Sequence, residues 1–563
     1  MLCEKCNASI PDAPSNASES SNSPSSSLQN LLRGQNSLTP SNTSEIQDII
    51  AGLEVDTHRI RWELISLTNK LKRLAIQQAK YKSLLAPIRR LPSEILSLIF
   101  THFSCDSYKQ NSITVDNGIT LPGWSLMAVC SHWYNIALSC TALWRKIRVD
   151  ALLFDNSEEA LDNLARLAAP LKWCLDHAGE TAPLEIRLRA NMDGQDTPVP
   201  EPEFMRILSA QSARWRHLHL TVDFTNLESF PSFAALKNCA LTSLKSLEFY
   251  NDLCQGHTEV DIFRNAPQLT QLTLGTLPTV ERTDMFPWGQ IKTLELQPHD
   301  TTHELFEALA FCPSLESLSY VFSYYDDESS EIQPQFSETI RSLSVLFKWL
   351  HRYVSETFSL LMDAACFPAL QEITITYEEH DSDILWPQHK VISFLLRSGC
   401  SLTTLEIRDV AISNDNLVAL LGHTPELRRF NFYEDPRHLT REKDSKARAS
   451  KHQHTTMSFI ARLHAFGDIE DGGPHGFANP LVPKLEHLSL RVLADWFDVD
   501  QLFVDVVCSR WSPEPSVVAM TGIECLKSVN LQVLGRNLNE EVYKPLIQLR
   551  KAGLQIELIG TVR

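Results

Sequence analysis

Ala266-Pro267-Gln268-Leu269-Thr270-Gln271-Leu272-Thr273-Leu274 sets down an apolar residue, two variable positions, a second apolar residue, one variable position and a third apolar residue. The same phrase returns as Trp215/Leu218/Leu220, Leu244/Leu247/Phe249, Ile291/Leu294/Leu296, Leu315/Leu318/Tyr320 and Leu370/Ile373/Ile375. It continues as Leu402/Leu405/Ile407, Leu427/Phe430/Phe432, Leu485/Leu488/Leu490 and Leu526/Val529/Leu531. Pro or Cys often stands just before it, as in Cys312-Pro313-Ser314-Leu315. Counted from the first apolar residue, successive phrases lie 29, 25, 22, 24, 55, 32, 25, 58 and 41 residues apart. A few matches can arise by chance in a leucine-rich chain; ten in order cannot be set aside.

Most of the short intervals sit at or near the period of about 20–29 residues of leucine-rich repeats, whose LxxLxL core is this phrase. Each such unit buries one face of a short strand against its own return helix, and neighbouring units close the open sides. Glu304–Phe311 and Val391–Ser398 read as return helices, Leu161–His177 as an amphipathic helix, and Pro183–Leu188 as a strand. The position three residues past the third apolar site holds Leu277, Val410, Leu493 and Leu534, where regular repeats carry Asn or Cys. The expectation for residues 151–563 is therefore a degenerate leucine-rich-repeat domain, an irregular horseshoe, with insertions near 324–365 and 435–480. The variable positions Gln271, Thr273, Thr404, Glu406, Arg428, His487 and Ser489 alternate with the buried ones and would face a target protein.

The first insertion reads as an acidic aromatic run, Tyr324-Tyr325-Asp326-Asp327-Glu328, followed by a helix with Phe347, Trp349, Leu350 and Tyr353. The second carries Arg437, Arg441, Lys443, Lys446, Arg448 and Lys451 against Glu442 and Asp444. Such a loop either binds an acidic or phosphorylated segment or is simply solvated. Gly472-Gly473-Pro474-His475-Gly476 reads as a flexible turn.

Upstream stands Leu91-Pro92-Ser93-Glu94-Ile95-Leu96-Ser97-Leu98-Ile99-Phe100, and after it Val129-Cys130-Ser131-His132-Trp133-Tyr134. Pro92 suits the first position of a helix, and Glu94 favours the positive end of its dipole. Ile95, Leu96, Ile99, Phe100 and Phe103 share one helical face; Leu126, Val129, Cys130, Trp133 and Ala137 form a second stripe. Two packed amphipathic helices would account for either stripe alone. The order LPxEIL, VCxxW and a trailing Leu143-Trp144 resembles an F-box over residues 87–150. That resemblance implies a surface for a Skp-type adaptor made by Leu91, Pro92, Ile95, Leu96, Ile99, Val129 and Trp133. The departure is a polar, irregular insertion around Cys105–Pro122.

Between residues 46 and 88, thirteen sites recur at alternating steps of four and three, all apolar except Thr57 and Gln78. One set is Ile46, Leu53, Ile60, Leu67, Leu74, Tyr81 and Ile88; the other is Ile50, Thr57, Leu64, Leu71, Gln78 and Leu85. A long heptad helix over 44–86 follows. Its seam either lies against the body of the same chain or joins a second copy, making a homodimer. Residues 1–43 read as a disordered serine-rich terminus, with eight serines between Ser15 and Ser27. Heptad helix, LPxEIL box and degenerate repeats together resemble the F-box and leucine-rich-repeat proteins expanded in mushroom-type fungi.

The net charge of −18 argues against nucleic acid or an anionic membrane as partner. No run of eighteen apolar residues exists, the first residues are no signal peptide, and thirteen scattered cysteines fit reduced thiols in cytoplasm or nucleus. Cys3-x-x-Cys6 lacks a second pair at zinc-ligand spacing, and Cys508 reads as a buried small hydrophobe. No P-loop, GxGxxG or GxSxG occurs, so no cofactor and no catalysis are expected. The resemblance implies a substrate-recognition subunit of an SCF-type cullin–RING ubiquitin ligase. Its partners would be the Skp-type adaptor, through it cullin and RING protein, and an unidentified target. The rival is a non-catalytic coiled-coil and leucine-rich-repeat scaffold acting outside any ligase.

Overall fold

The computed structural model describes residues 40–104, 110–116, 118–152, 158–191, 201–222, 230–251, 261–275, 285–297, 302–322, 334–348, 354–377, 386–410, 412–434, 457–466, 480–494 and 497–562. The serine-rich run, Cys3 and Cys6, Leu277, the Tyr324–Glu328 run, the six basic residues between Arg437 and Lys451, and the Gly472–Gly476 turn lie outside them. The chain divides into two units, Met1–Pro92 and Ser93–Arg563.

The described part of the first unit is one helix, Pro40–Leu84, 45 residues long. It starts with a proline, whose missing N–H costs nothing there. Its end corrects the heptad reading, because Leu85 and Ile88 leave the helix. Pro87 has no N–H to donate and its ring crowds the carbonyl four residues back, so Ala86 turns extended and Pro87–Arg90 form a 3-10 turn.

In the second unit, the alternation of the repeat phrase becomes one parallel sheet. Among the described residues fourteen parallel strands, neighbours in space following chain order, run from Lys146–Leu152 to Gln555–Thr561. Register is strict. Ile147, Ile186, Leu218, Leu247, Leu272 and Leu294 align in one row, which continues through Leu318, Leu343, Ile373, Leu405, Phe430, Leu488, Val529 and Ile556. Every apolar residue of the ten phrases is buried. A slip of one residue would turn each row to solvent, so burial itself holds the register. The architecture is that of a leucine-rich-repeat-like solenoid.

Several elements differ from the expectation. The 55-residue interval hides a further phrase, Ile340/Leu343/Val345, whose strand Ser342–Phe347 lies between Ser317–Phe322 and Glu372–Tyr377. Phe347 thus ends a strand, and the helix follows at Val354–Ala364. Trp349, Leu350 and Tyr353 lie outside the described residues. Val410 and Leu493 are buried and Leu534 half-buried, so the position of the usual Asn or Cys is packed with apolar side chains. Leu161–His177 is two helices, Glu158–Arg166 and Ala168–His177, because Pro170 has no N–H to donate to the Arg166 carbonyl and its ring crowds it. The polar insertion near Cys105–Pro122 is partly ordered. Asn111–Thr114 adds parallel to Lys146–Leu152, and Gly118–Thr120 folds back antiparallel on it, closing that edge of the sheet with a short exposed strand. Asn111 occupies the leucine row there, its amide donating to the carbonyls of Leu143 (2.8 Å) and Lys146 (3.0 Å).

Trp144 joins the helical segment to the sheet. It is fully buried, donates from Nε1 to the Ala137 carbonyl at 2.9 Å, and meets Trp173 edge-on at 4.8 Å. Gly123 packs on its ring so closely that a Cβ would come within 2.4 Å of it, so no larger residue fits there.

The second insertion leaves between Arg429–Tyr433 and His487–Leu493, which remain neighbours in the sheet. Its described ends are tied by Arg510, 1% exposed on the helix Asp500–Arg510. Its guanidinium donates to the carbonyl of Val482 at 3.0 Å and to those of Leu463 and Leu481. Burial without a carboxylate lowers its pKa to about 10, so it stays cationic at neutral pH. The same helix corrects the reading of Cys508, which is exposed. Phe503, Val507 and Arg510 fall at helical spacing on the inner face, and Cys508 is one step off it. Arg510→Met strips three buried carbonyls of their donor and should cost about 3 kcal/mol or more in urea unfolding. Cys508→Ser should stay within about 0.5 kcal/mol of wild type. Equal stability of the two variants would show that Arg510 is no anchor.

Candidate functional site

The faces of the strands opposite the leucine rows carry the polar ladder. Arg148, Arg187, His219, Glu248, Thr273, Glu295 and Ser319 align across it, followed by Ser344, Thr374, Glu406, Asn431, Ser489 and Asn530. Of the sequence-predicted target residues, Gln271 and Thr273 stand on the strand Gln271–Leu274. Thr404, Glu406, His487 and Ser489 stand on two strands flanking Arg429–Tyr433. Five strand spacings separate these two groups, about 24 Å, so they do not form one compact site.

Arg428 is the exception among the seven. Thr404 and His487 align with Arg429, and Arg428 sits one residue earlier, in the turn entering the strand. There it pairs with Glu486, which also takes Lys527 at 2.7 Å. The phrase allows either variable position between its first two apolar residues to face the target; the register selects the second.

The C-terminal group is completed by side chains that the sequence reading passed over. Arg408, Tyr433, Arg491 and Gln532 occupy matching positions on four adjacent strands. The guanidinium of Arg408 lies 4.6 Å from the Tyr433 ring centre and that of Arg491 5.4 Å. Arg408 also pairs with Glu406, Asn431 donates to Glu406 at 2.9 Å, and Arg491 donates to Gln532 at 2.9 Å. Tyr433 reaches Ser489 at 3.3 Å. Nearby, His487 bonds Ser528 at 2.7 Å, and burial together with Arg429 holds its pKa below the usual value, keeping it neutral at pH 7. The result is a tethered polar surface with an aromatic centre and two arginines, the side-chain types that dominate protein interfaces. Its signal was present in the chain: Arg408, Tyr433 and Arg491 each follow the third apolar residue of a phrase.

A second polar group stands nearer the other edge. His219 Nδ1 meets Glu248 at 2.5 Å, its Nε2 meets Thr221 at 3.0 Å, and Tyr250 packs 5.2 Å from its ring. The hydrogen bond from His219 lowers the Glu248 pKa, and burial beside Glu248 pushes the Tyr250 hydroxyl up to about 12. These pairings tie the other three side chains to His219.

The helical segment shows a different surface. Ser93–Phe103 turns Leu96 and Phe100 inward, the latter meeting Trp133 edge-on at 5.1 Å. Ile95, Leu98 and Ile99 remain exposed. Leu96, assigned to the adaptor surface from sequence, is 0% exposed and belongs to the interior instead. The second stripe is also broken: helices Pro122–Met127 and Ser131–Ser139 are separated by Ala128–Cys130, where Cys130 is fully extended. That break leaves Val129 open beside exposed Trp124 and Tyr134 in the sequence, with Trp133 half-buried. Pro92 is exposed and Leu91 half-buried, both in the first unit. In the second unit, seven exposed large apolar residues fall between Ile95 and Tyr134, against six over all later described residues. Along the chain, exposed apolar residues are thus concentrated on these helices and their connections.

If the arginine–tyrosine surface serves binding and not folding, Arg491→Ala should change stability by less than about 1 kcal/mol in urea unfolding, as half-exposed pairs do. A loss above about 2 kcal/mol would make the cluster structural.

No family model matches the chain, and no curated protein does. Among solved structures the chain is similar to one described as the crystal structure of a TLR13–ssRNA13 complex, at 13% identity and a TM-score of 0.30. The match covers 66% of this chain and 46% of that one, so the chain spans about half the length of that protein.

Proposed function

We propose that this protein is a substrate-recognition subunit of an SCF-type cullin–RING ubiquitin ligase. The F-box of this reading spans residues 87–150 and docks a Skp-type adaptor. The observation that carries it is the set of exposed apolar side chains Ile95, Leu98, Ile99, Trp124, Val129 and Tyr134 on helices carrying the LPxEIL and VCxxW motifs. An adaptor that covers them removes apolar surface from water at roughly 25 cal/mol per Å².

The solenoid's polar ladder then holds the target protein, with the Arg408–Tyr433–Arg491 surface as its best-equipped part. Catalysis belongs to the RING protein and the ubiquitin-charged conjugating enzyme. This chain contributes proximity, raising the target's effective concentration at the ubiquitin donor. The reading places the protein in cytoplasm or nucleus, where that machinery works. No helix among the described residues is long and apolar enough to cross a membrane. The second reading, a scaffold outside any ligase, is favoured by the long exposed helix Pro40–Leu84 and would leave the helical segment without an adaptor.

Ile99→Asp combined with Val129→Asp places two charges in the docking surface without touching the core. Adaptor affinity measured by calorimetry should fall at least about 100-fold, with each burial worth upwards of 1.4 kcal/mol. The unfolding midpoint of the solenoid should not move. Adaptor binding that survives both substitutions would remove the F-box assignment.

A further inference from the structure

The helix Pro40–Leu84 exposes Leu53, Ile60, Leu64, Leu67, Leu71 and Leu74 by half or more of their surface. Water contact over six heptads of apolar seam is a standing cost, and the sequence of the seam says what relieves it. Steps of three and four place Ile46, Leu53, Ile60, Leu67, Leu74 and Tyr81 at the d positions of a coiled coil and Ile50, Thr57, Leu64, Leu71 and Gln78 at the a positions. Both polar seam residues, Thr57 and Gln78, are therefore a residues, and every d residue is apolar or aromatic.

That division selects an orientation. In an antiparallel pair each a residue packs against a d residue, so any register sets Thr57 and Gln78 against apolar side chains. In a parallel, in-register pair each a residue meets its own copy, so Gln78 faces Gln78 and Thr57 faces Thr57. A glutamine amide has both donor and acceptor and can satisfy its twin. The flanking charges agree. Asp56, in position g, faces Arg61, in position e, of the other copy, and no g residue faces a like charge at e in this arrangement. We propose that Pro40–Leu84 forms a parallel, in-register homodimeric coiled coil, with Gln78 pairing across the axis as its register lock. Both helices then finish at the same end of the seam, at Leu84, and each assembly carries two copies of the second unit. This inference stands whether or not the adaptor reading holds.

The test is charge complementation in the full-length chain. Gln78→Glu and Gln78→Lys are purified separately with different tags, and masses are read by light scattering. Wild type should be a dimer. Each variant alone should dissociate with at least a tenfold higher dimer dissociation constant, and their mixture should restore a dimer containing both tags. Unfolding of the solenoid should be the same in all three proteins, separating loss of the seam from loss of the fold. A monomeric wild type, a larger oligomer, variants that stay dimeric, or a mixture that fails to pair would each overturn the proposal.

Discussion

Parallel register is the constraint on which the second unit rests. One leucine row runs unbroken from Ile147 to Ile556, and its burial is possible only while every strand keeps step with the last. Because parallel neighbours need a crossover between them, each strand commits the chain to a return segment, and the length of that segment is free. This explains how repeats spaced from 22 to 58 residues apart share one even sheet. Irregularity is absorbed mainly in the returns; within the ladder, the register shifts between Leu184 and Glu185. Where a return is longest, a dedicated anchor appears: Arg510 gathers carbonyls from Leu463, Leu481 and Val482, closing the insertion at its root.

The edge near the helical segment solves the complementary problem. A solenoid must end its open row of backbone groups, and Asn111–Thr114 with the short antiparallel Gly118–Thr120 does so. Trp144 then fastens the helices to the first repeat through Gly123, Ala137 and Trp173. The helices after Ser93 and the ladder thus pack as parts of one unit.

Much of this was legible in the chain. The ten phrases became strands with their apolar residues inward, because period-two burial is written directly in residue type. The strand Ser342–Phe347 escaped because its phrase begins with Ile340 behind an acidic run, and Phe347 beside Trp349 and Leu350 read as helical. Gln555–Thr561 escaped because Gly553 stands where the phrase that continues as Ile556/Leu558 needs its first apolar residue. Leu96 shared a stripe with Ile95 and Ile99, and periodicity alone cannot say which part of a wide stripe meets the core. For the candidate site, ladder positions were readable and adjacency was not. The grouping of Arg408, Tyr433 and Arg491 depends on which strands become neighbours across a 58-residue interval.

The proposed role requires the full chain to recruit a Skp-type adaptor and, through it, cullin. The most direct measurement is reconstitution of the full chain with purified Skp-type adaptor and cullin, followed by size-exclusion chromatography and mass determination. A single species containing all three proteins is the predicted result. Recovery of the adaptor without cullin, or of neither, would contradict a ligase receptor and leave a scaffold in its place.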